Sequence, residues 1–142
     1  MTRRPRINHV AMSVPADLLT AGSRAEILDF YGEVFGWEEH ATETVDREKL
    51  VLRVHSHEQF VFLIADAAPM QCPPLDHFGM SVGTMSELDE TLAKATTRAA
   101  GDDRVRLIDK QTDDFGPLKL SSFYVGFLLP MMIETQYFDW DL

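Results

Sequence analysis

The fold is decided by Ile7-Asn8-His9-Val10-Ala11-Met12-Ser13-Val14, which recurs later in the chain as Leu75-Asp76-His77-Phe78-Gly79-Met80-Ser81-Val82. Both copies contain the pattern His-x-x-Met-Ser-Val, and their histidines are 77 − 9 = 68 residues apart. Apolar residues dominate each copy, as they do in buried strands. Repetition at this period predicts that the chain consists of two copies of one structural unit.

A helix is expected after each copy of the repeat. In the first half, Ser23 and Glu26 form a capping-box pattern for the helix start, and Gly36 offers the stop. In the second half, Ser86 with Asp89 is predicted to supply the start and Gly101 the end. Apolar residues recur at helical spacing in both segments, at Ile27, Phe30, Tyr31 and Val34, and at Leu88, Leu92, Ala95 and Ala99.

Three extended segments are predicted after each helix, separated by charged or turn-forming residues. They lie at 38–45, 50–55 and 59–65 in the first half, and at 104–109, 118–126 and 131–138 in the second. Each half therefore has the order βαβββ, which predicts an α+β fold. The modules cover 5–66 and 75–139, and the proline-containing segment 67–74 joins them, because adjacent prolines cannot continue a helix or donate to a central strand.

Length and composition limit the function classes. A chain of 142 residues suits one compact domain, and Cys72, as its only cysteine, excludes an internal disulfide. The formal charge of −10 opposes nucleic-acid binding, and no apolar run reaches the roughly 20 residues that span a membrane. Arg3, Arg4 and Arg6 are not followed by a secretion signal, so we expect a cytoplasmic protein.

The first helix ends in Leu28-Asp29-Phe30-Tyr31-Gly32-Glu33-Val34-Phe35-Gly36-Trp37. This ending, the duplicated first strand and the order of elements resemble the glyoxalase, bleomycin-resistance and extradiol dioxygenase superfamily, also called the vicinal oxygen chelate (VOC) superfamily. The resemblance covers nearly the whole chain. It implies one domain, 1–142, whose two modules form curved mixed sheets around a cavity, and a homodimer. Whether the cavity forms within one chain or across two chains stays open.

In this superfamily, metal ligands come from the first and last strands of each module. The resemblance therefore implies that His9, His77 and Glu134 bind one divalent metal ion. The fourth ligand position falls near Phe62 or Leu63, and no acidic residue lies between Gln59 and Ala65. Two imidazoles and one carboxylate favour Fe(II) or Mn(II), with Zn(II) or Ni(II) as alternatives. A carboxylate in the otherwise apolar strand around Ile133 also requires a partner, which a metal supplies.

Tyr124 precedes Glu134 by 134 − 124 = 10 residues, as the active-site tyrosine precedes the ligand glutamate in extradiol dioxygenases. The resemblance assigns it a catalytic role, hydrogen bonding to a substrate hydroxyl. Phe115 and Gly116 stand near where those enzymes carry an additional histidine. The substrate pocket is expected to include Phe62, Phe123, Phe127 and Met132, whereas His40, His55 and His57 are interpreted as exposed residues near turns.

The resulting hypothesis is a metal-dependent enzyme of the VOC superfamily that acts on a small oxygen-chelating organic substrate. Oxidation of the extradiol-dioxygenase kind is preferred, because three protein ligands leave positions for substrate and dioxygen. A glyoxalase-like lyase or isomerase is the first alternative. A non-catalytic drug-binding protein of the bleomycin-resistance kind is the second, and the acidic charge would favour a cationic drug there.

Overall fold

The structure is a computed structural model and describes residues 3–141. These residues form two compact units that divide between Met70 and Gln71, within the predicted linker. Unit 1 contains β1 (His9–Val14), α1 (Ala21–Phe35), β2 (Glu38–Glu39), β3 (Lys49–Arg53) and β4 (Phe60–Ala65). Unit 2 contains β5 (His77–Ser81), α2 (Met85–Gly101), β6 (Arg106–Asp114), β7 (Leu118–Gly126) and β8 (Met132–Trp140). The predicted α+β fold with two tandem βαβββ modules is confirmed.

Each unit has one four-stranded mixed sheet, and the two sheets share one topology. The strand orders are β1-β4-β3-β2 and β5-β8-β7-β6. The first and last strands of each unit pair in parallel, and the remaining neighbours are antiparallel. The first strand of each repeat therefore lies directly beside the last strand of its own unit, where the metal ligands are predicted.

The two faces of each sheet differ in burial because side chains alternate along a strand. In unit 1, the buried face carries Met12, Val14, Leu50, Leu52, Val61 and Leu63. The apolar stripe of α1 is buried as predicted, and in α2 Leu88 and Ala95 are buried while Leu92 and Ala99 are partly exposed. The opposite faces of both sheets carry polar groups, including His9 in unit 1 and Glu134 in unit 2.

The predicted helix starts are wrong by two or three residues. Thr20 caps α1, and its side chain accepts a hydrogen bond from the Ser23 backbone, so Ser23 lies inside the first turn. A capping box does open α2, but Thr84 and Glu87 form it. In both helices, the threonine side chain accepts a hydrogen bond from the backbone N–H three residues later. The threonine is therefore the N-cap instead of the predicted serine.

The predicted end of α1 is confirmed. Gly36 has φ 74°, a left-handed conformation that glycine adopts without steric cost. The Trp37 ring then stacks on Tyr31 at 4.9 Å. Gly101 is the last residue of α2, and Asp102 follows it in an extended conformation rather than a left-handed cap.

The predicted strand 38–45 is also wrong, because regular pairing covers only Glu38 and Glu39. The chain then forms a 3₁₀ turn, Ala41–Glu43, which returns it toward β3. The strand predicted at 104–109 lies at Arg106–Asp114, and β8 ends two residues later than expected. Among residues 3–141, no helix is both long and apolar enough to cross a membrane.

A buried hydroxyl provides a stability test. Thr135 is 1% exposed, and its Oγ1 has no hydrogen-bond partner among residues 3–141. Thr135→Val removes an unpaired polar group and keeps the shape, so we expect unfolding free energy to rise by about 1 kcal/mol in urea titrations. Thr112→Val is the matched control, because it removes a 2.7 Å partner of the buried Ser121 hydroxyl and is expected to destabilise. Equal losses of unfolding free energy in both variants would contradict the conclusion that the Thr135 hydroxyl is unpaired.

Candidate functional site

Two predicted ligands lie together in unit 2. Glu134 on β8 pairs with Gly79 on β5, and His77 is two residues from Gly79 on the same face. The His77 Nε2 and Glu134 Oε1 atoms are 3.4 Å apart, and their side chains are 35% and 12% exposed. The parallel pairing of β5 with β8 therefore joins a histidine and a carboxylate that are 134 − 77 = 57 residues apart in sequence.

The other ring nitrogen of His77 determines what Nε2 can do. Nδ1 lies 2.7 Å from the Leu75 carbonyl oxygen, which can only accept a hydrogen bond. Nδ1 therefore carries a proton, and the Nε2 of a neutral ring presents its lone pair toward the Glu134 carboxylate. Two electron-rich atoms in this arrangement require a proton or a cation between them.

Tyr124 completes this group from the neighbouring strand. It is the β7 partner of Glu134 in the sheet register, it donates a hydrogen bond to that carboxylate, and its ring meets the His77 ring edge-on at 5.0 Å. Burial raises the pKa of the Tyr124 hydroxyl, and the hydrogen bond and negative charge of Glu134 raise it further. Tyr124 is therefore protonated at neutral pH and acts as a donor rather than as a base.

His9, the third predicted ligand, lies in unit 1 at the start of β1. Its Nδ1 is 2.7 Å from the Asn8 side-chain oxygen, and its ring stacks on Phe60 at 4.8 Å. Since an amide oxygen only accepts, Nδ1 carries the proton and Nε2 keeps a free lone pair, as in His77. In both His9 and His77, Nδ1 therefore donates a hydrogen bond to an oxygen atom and Nε2 keeps its lone pair.

His9 borders an open pocket of about 530 Å³ on the polar face of the unit 1 sheet. Phe62, predicted to line a substrate pocket, is part of its wall. The pocket also contains His40 and His57, whose rings are 5.5 Å apart, so the interpretation of these two histidines as ordinary turn residues is incomplete. Its other walls are Thr42, Glu43, Lys49, Val51 and Phe60.

The register explains why unit 1 offers no fourth ligand. Ala11 in β1 corresponds to Gly79 in β5, and Ala11 pairs with Phe62 where Gly79 pairs with Glu134. Phe62 therefore occupies the position equivalent to Glu134. Within residues 3–141, no group of three or more His, Cys, Asp or Glu side chains is arranged to hold a metal ion. The structure brings together one pair of predicted ligands, His77 and Glu134, and the metal site itself stays a prediction.

The remaining predicted pocket residues have different environments. Met132 is 3% exposed and is the β8 partner of His77, so it borders the pair of predicted ligands. Phe123 is fully buried, and strand alternation places it on the face opposite Tyr124. Phe127 is also buried, with the Arg104 guanidinium 5.2 Å from its ring centre. Both phenylalanines therefore belong to the hydrophobic interior of unit 2.

No protein-family model matches the sequence, and no curated protein is significantly similar to it. Solved structures match along nearly the whole chain. A glyoxalase/bleomycin resistance protein/dioxygenase from Alicyclobacillus acidocaldarius is 17% identical, with a TM-score of 0.60 and coverage of 97% of this chain and 95% of that one. A lactoylglutathione lyase from Agrobacterium tumefaciens is 16% identical, with a TM-score of 0.63 and 96% coverage of both chains.

The fosfomycin resistance protein FosX from Listeria monocytogenes is 12% identical, with a TM-score of 0.59 and coverage of 95% of this chain and 94% of that one. At these identities the similarity shows a shared fold. The chain thus has the fold of the glyoxalase/bleomycin resistance/dioxygenase proteins, and the predicted resemblance to the VOC superfamily is confirmed at that level.

Proposed function

We propose that the protein is a metal-dependent enzyme that acts on a small oxygen-chelating organic substrate. His9, His77 and Glu134 hold one divalent ion in this proposal, either within one chain or between two copies in a homodimer. The proposal rests mainly on the His77 and Glu134 pair, whose facing nitrogen and oxygen atoms are 3.4 Å apart. That separation is close to the spacing of two donors that each lie about 2.1 Å from one ion.

The protein groups around the pair suit this role. The Leu75 carbonyl orients the His77 ring, and Tyr124 orients the Glu134 carboxylate, as outer hydrogen-bond partners commonly do for metal ligands. A bound divalent ion supplies Lewis acidity and open coordination positions for substrate oxygens. While Tyr124 donates to Glu134, its hydroxyl oxygen is able to accept a hydrogen bond from a substrate hydroxyl.

Extradiol-dioxygenase-like oxidation with Fe(II) or Mn(II) is the preferred reaction. The proposed donor set is two imidazoles and one carboxylate, because Phe62 replaces a fourth ligand. Tyr124 adjoins both unit 2 ligands, where it is able to orient a catechol-like substrate. The apolar surface that Phe62 contributes to the unit 1 pocket is compatible with an aromatic ring.

A lyase or isomerase of the glyoxalase kind is the second candidate, supported by the shared fold with the lactoylglutathione lyase. Its proton transfer requires a base, and Tyr124, with its raised pKa, does not supply one at neutral pH. A drug-binding protein without catalysis is the third candidate. The oriented ligand pair favours the metal-dependent proposals over this one.

The metal part of the proposal is tested by the titration of Tyr124. A divalent ion on Glu134 offsets the charge that helps to raise the Tyr124 pKa, so that pKa is expected to fall toward its ordinary value when metal is added. The shift is measured by NMR on protein with ¹³C-labelled tyrosine. Tyr124→Phe identifies the signal, and elemental analysis is expected to find about one metal per chain.

Glu134→Gln is the control for this titration. It removes the charge permanently, so the Tyr124 pKa is expected to be lower without metal and to stay unchanged when metal is added. A wild-type Tyr124 pKa that is insensitive to Fe(II), Mn(II), Zn(II) and Ni(II) would contradict metal binding at Glu134.

The reaction class is tested with protein reconstituted anaerobically with Fe(II) or Mn(II). Dioxygen uptake with catechol substrates, in step with loss of the catechol, supports ring oxidation. Metal-dependent turnover of lactoylglutathione without dioxygen uptake would instead favour the lyase or isomerase. The homodimer, the Zn(II) or Ni(II) alternatives and the cytoplasmic location stay predictions.

A further inference from the structure

Arg106 lies on the same face of the unit 2 sheet as the ligand pair. It is the first residue of β6, and its partner in the register is Gly126 on β7. Gly126 is two residues from Tyr124, so both point to one face and are separated by about 7 Å along the strand. The register continues from Gly126 to Met132 on β8 and from Met132 to His77 on β5, so these residues lie side by side across the sheet. Arg106 is therefore on the face that carries the proposed site and not on the opposite face.

Gly126 makes room for the Arg106 guanidinium. A Cβ atom at position 126 would be 2.7 Å from Arg106 Nη2, 3.2 Å from its Cζ and 3.2 Å from Met132 Cγ. Gly126 is not among the residues with positive φ, so its backbone conformation does not require glycine. The exposed side chain of Arg106 therefore lies across β7 at Gly126.

The guanidinium has little to bind within the protein. Among residues 3–141 its only hydrogen bond is to the Leu129 carbonyl, at 3.5 Å, and it has no carboxylate partner. Other arginines differ, since Arg24 pairs with Asp46 and Arg53 with Glu38. In a chain with 23 acidic residues, Arg106 thus keeps most of its five N–H donors available on the face of the proposed site.

We propose that Arg106 binds an oxyanion of the substrate, a carboxylate or a phosphate, and so determines substrate specificity. This inference rests on the proposed function, because it assigns a substrate class to that site: small oxygen chelators that also carry an anionic group. A planar guanidinium binds such groups through two parallel hydrogen bonds. The negative charge of Glu134 would oppose an anion nearby, so metal loading is expected to strengthen this binding.

The test compares two ligands that differ by one carboxylate, catechol and 3,4-dihydroxybenzoate, by calorimetry on metal-loaded protein. The wild type is expected to bind the carboxylated ligand about 10- to 100-fold more tightly, the usual effect of hydrogen bonds to a charged group. In Arg106→Gln this preference is expected to disappear, while the metal content and the affinity for catechol stay the same. Inorganic phosphate is expected to compete with the carboxylated ligand only in the wild type.

Two further variants separate position from charge. Gly126→Ala keeps the charge but displaces the guanidinium, so it is expected to lose most of the preference as well. Lys119→Gln removes one positive charge from the opposite face of β7 and is expected to keep it. A preference retained in Arg106→Gln, or lost equally in Lys119→Gln, would overturn the proposal.

Failure of the proposed function would give a different result. If no metal binds, inorganic phosphate is titrated into the metal-free wild type and Arg106→Gln, with binding followed by NMR. Phosphate binding that depends on Arg106 would support the oxyanion site without the enzyme, whereas equal binding or none in both proteins would overturn it. Thermal unfolding of every variant checks that the fold is intact.

Discussion

Replacing Glu134 with alanine is expected to lower the affinity for a divalent ion by more than about a hundredfold. Loss of an outer hydrogen-bond partner alone typically costs 10- to 100-fold, and Glu134 is proposed to contact the ion directly. The substitution also leaves His77 Nε2 as the only donor of the pair. Competition with a metal-sensitive dye, followed anaerobically for Fe(II) and aerobically for Mn(II) and Zn(II), measures the change.

Two further histidine variants make this result specific. His77→Ala is expected to match Glu134→Ala, because it removes the other half of the pair. His55→Ala removes a histidine that is exposed beyond the end of β3 and does not border the pocket, so it is expected to bind metal as the wild type does. An unchanged affinity in Glu134→Ala, or an equal loss in all three variants, would contradict the assignment of the ligands.

Replacing Phe123 with alanine is expected to lower the free energy of unfolding by about 3–5 kcal/mol. Its side chain is completely buried on the face of β7 opposite Tyr124, so the truncation leaves a cavity that the surrounding side chains fill only in part. Binding of ligands to the remaining folded protein is expected to be unchanged. Urea unfolding followed by circular dichroism measures the loss.

Phe62→Ala is the matched control for this substitution. Phe62 is only half-buried and lines the unit 1 pocket, so its truncation is expected to cost much less stability and to weaken ligand binding. If Phe123→Ala weakened ligand binding and left stability unchanged, Phe123 would be a pocket residue as the sequence analysis predicted, and its placement in the interior would be wrong.

The fold was predictable because the same pattern occurs twice. A histidine-bearing strand, an amphipathic helix with a glycine stop, and three further strands specify the order of elements without any long-range information. Alignment of the two copies also placed the counterpart of Glu134 near Phe62 or Leu63, and the registers of the two sheets identify it as Phe62. Helix starts were less predictable, because Thr20 and Ser23 are both competent caps and tertiary packing decides between them.

The candidate site was predictable only where repetition or resemblance marked a residue. His40 and His57 border the same pocket as His9, but no spacing in the sequence relates them, because the short β2 and its 3₁₀ turn bring His40 next to Val51. Arg106 was missed for a similar reason. Its pairing with Gly126 spans a hairpin with an irregular register, and only that pairing shows which face the arginine occupies.

The parallel pairing of first and last strands has a consequence for how the chain is synthesised. During synthesis, β1 and β5 leave the ribosome well before their partners β4 and β8. The strand that carries each histidine therefore cannot pair until the last strand of its own module has emerged. Unit 1 has all its strands once Ala65 has emerged, whereas unit 2 has all its strands only once Trp140 has emerged. Since His77 and Glu134 stand at opposite ends of the same module, the proposed binding of an ion by this pair requires that β8 has been synthesised and has paired with β5.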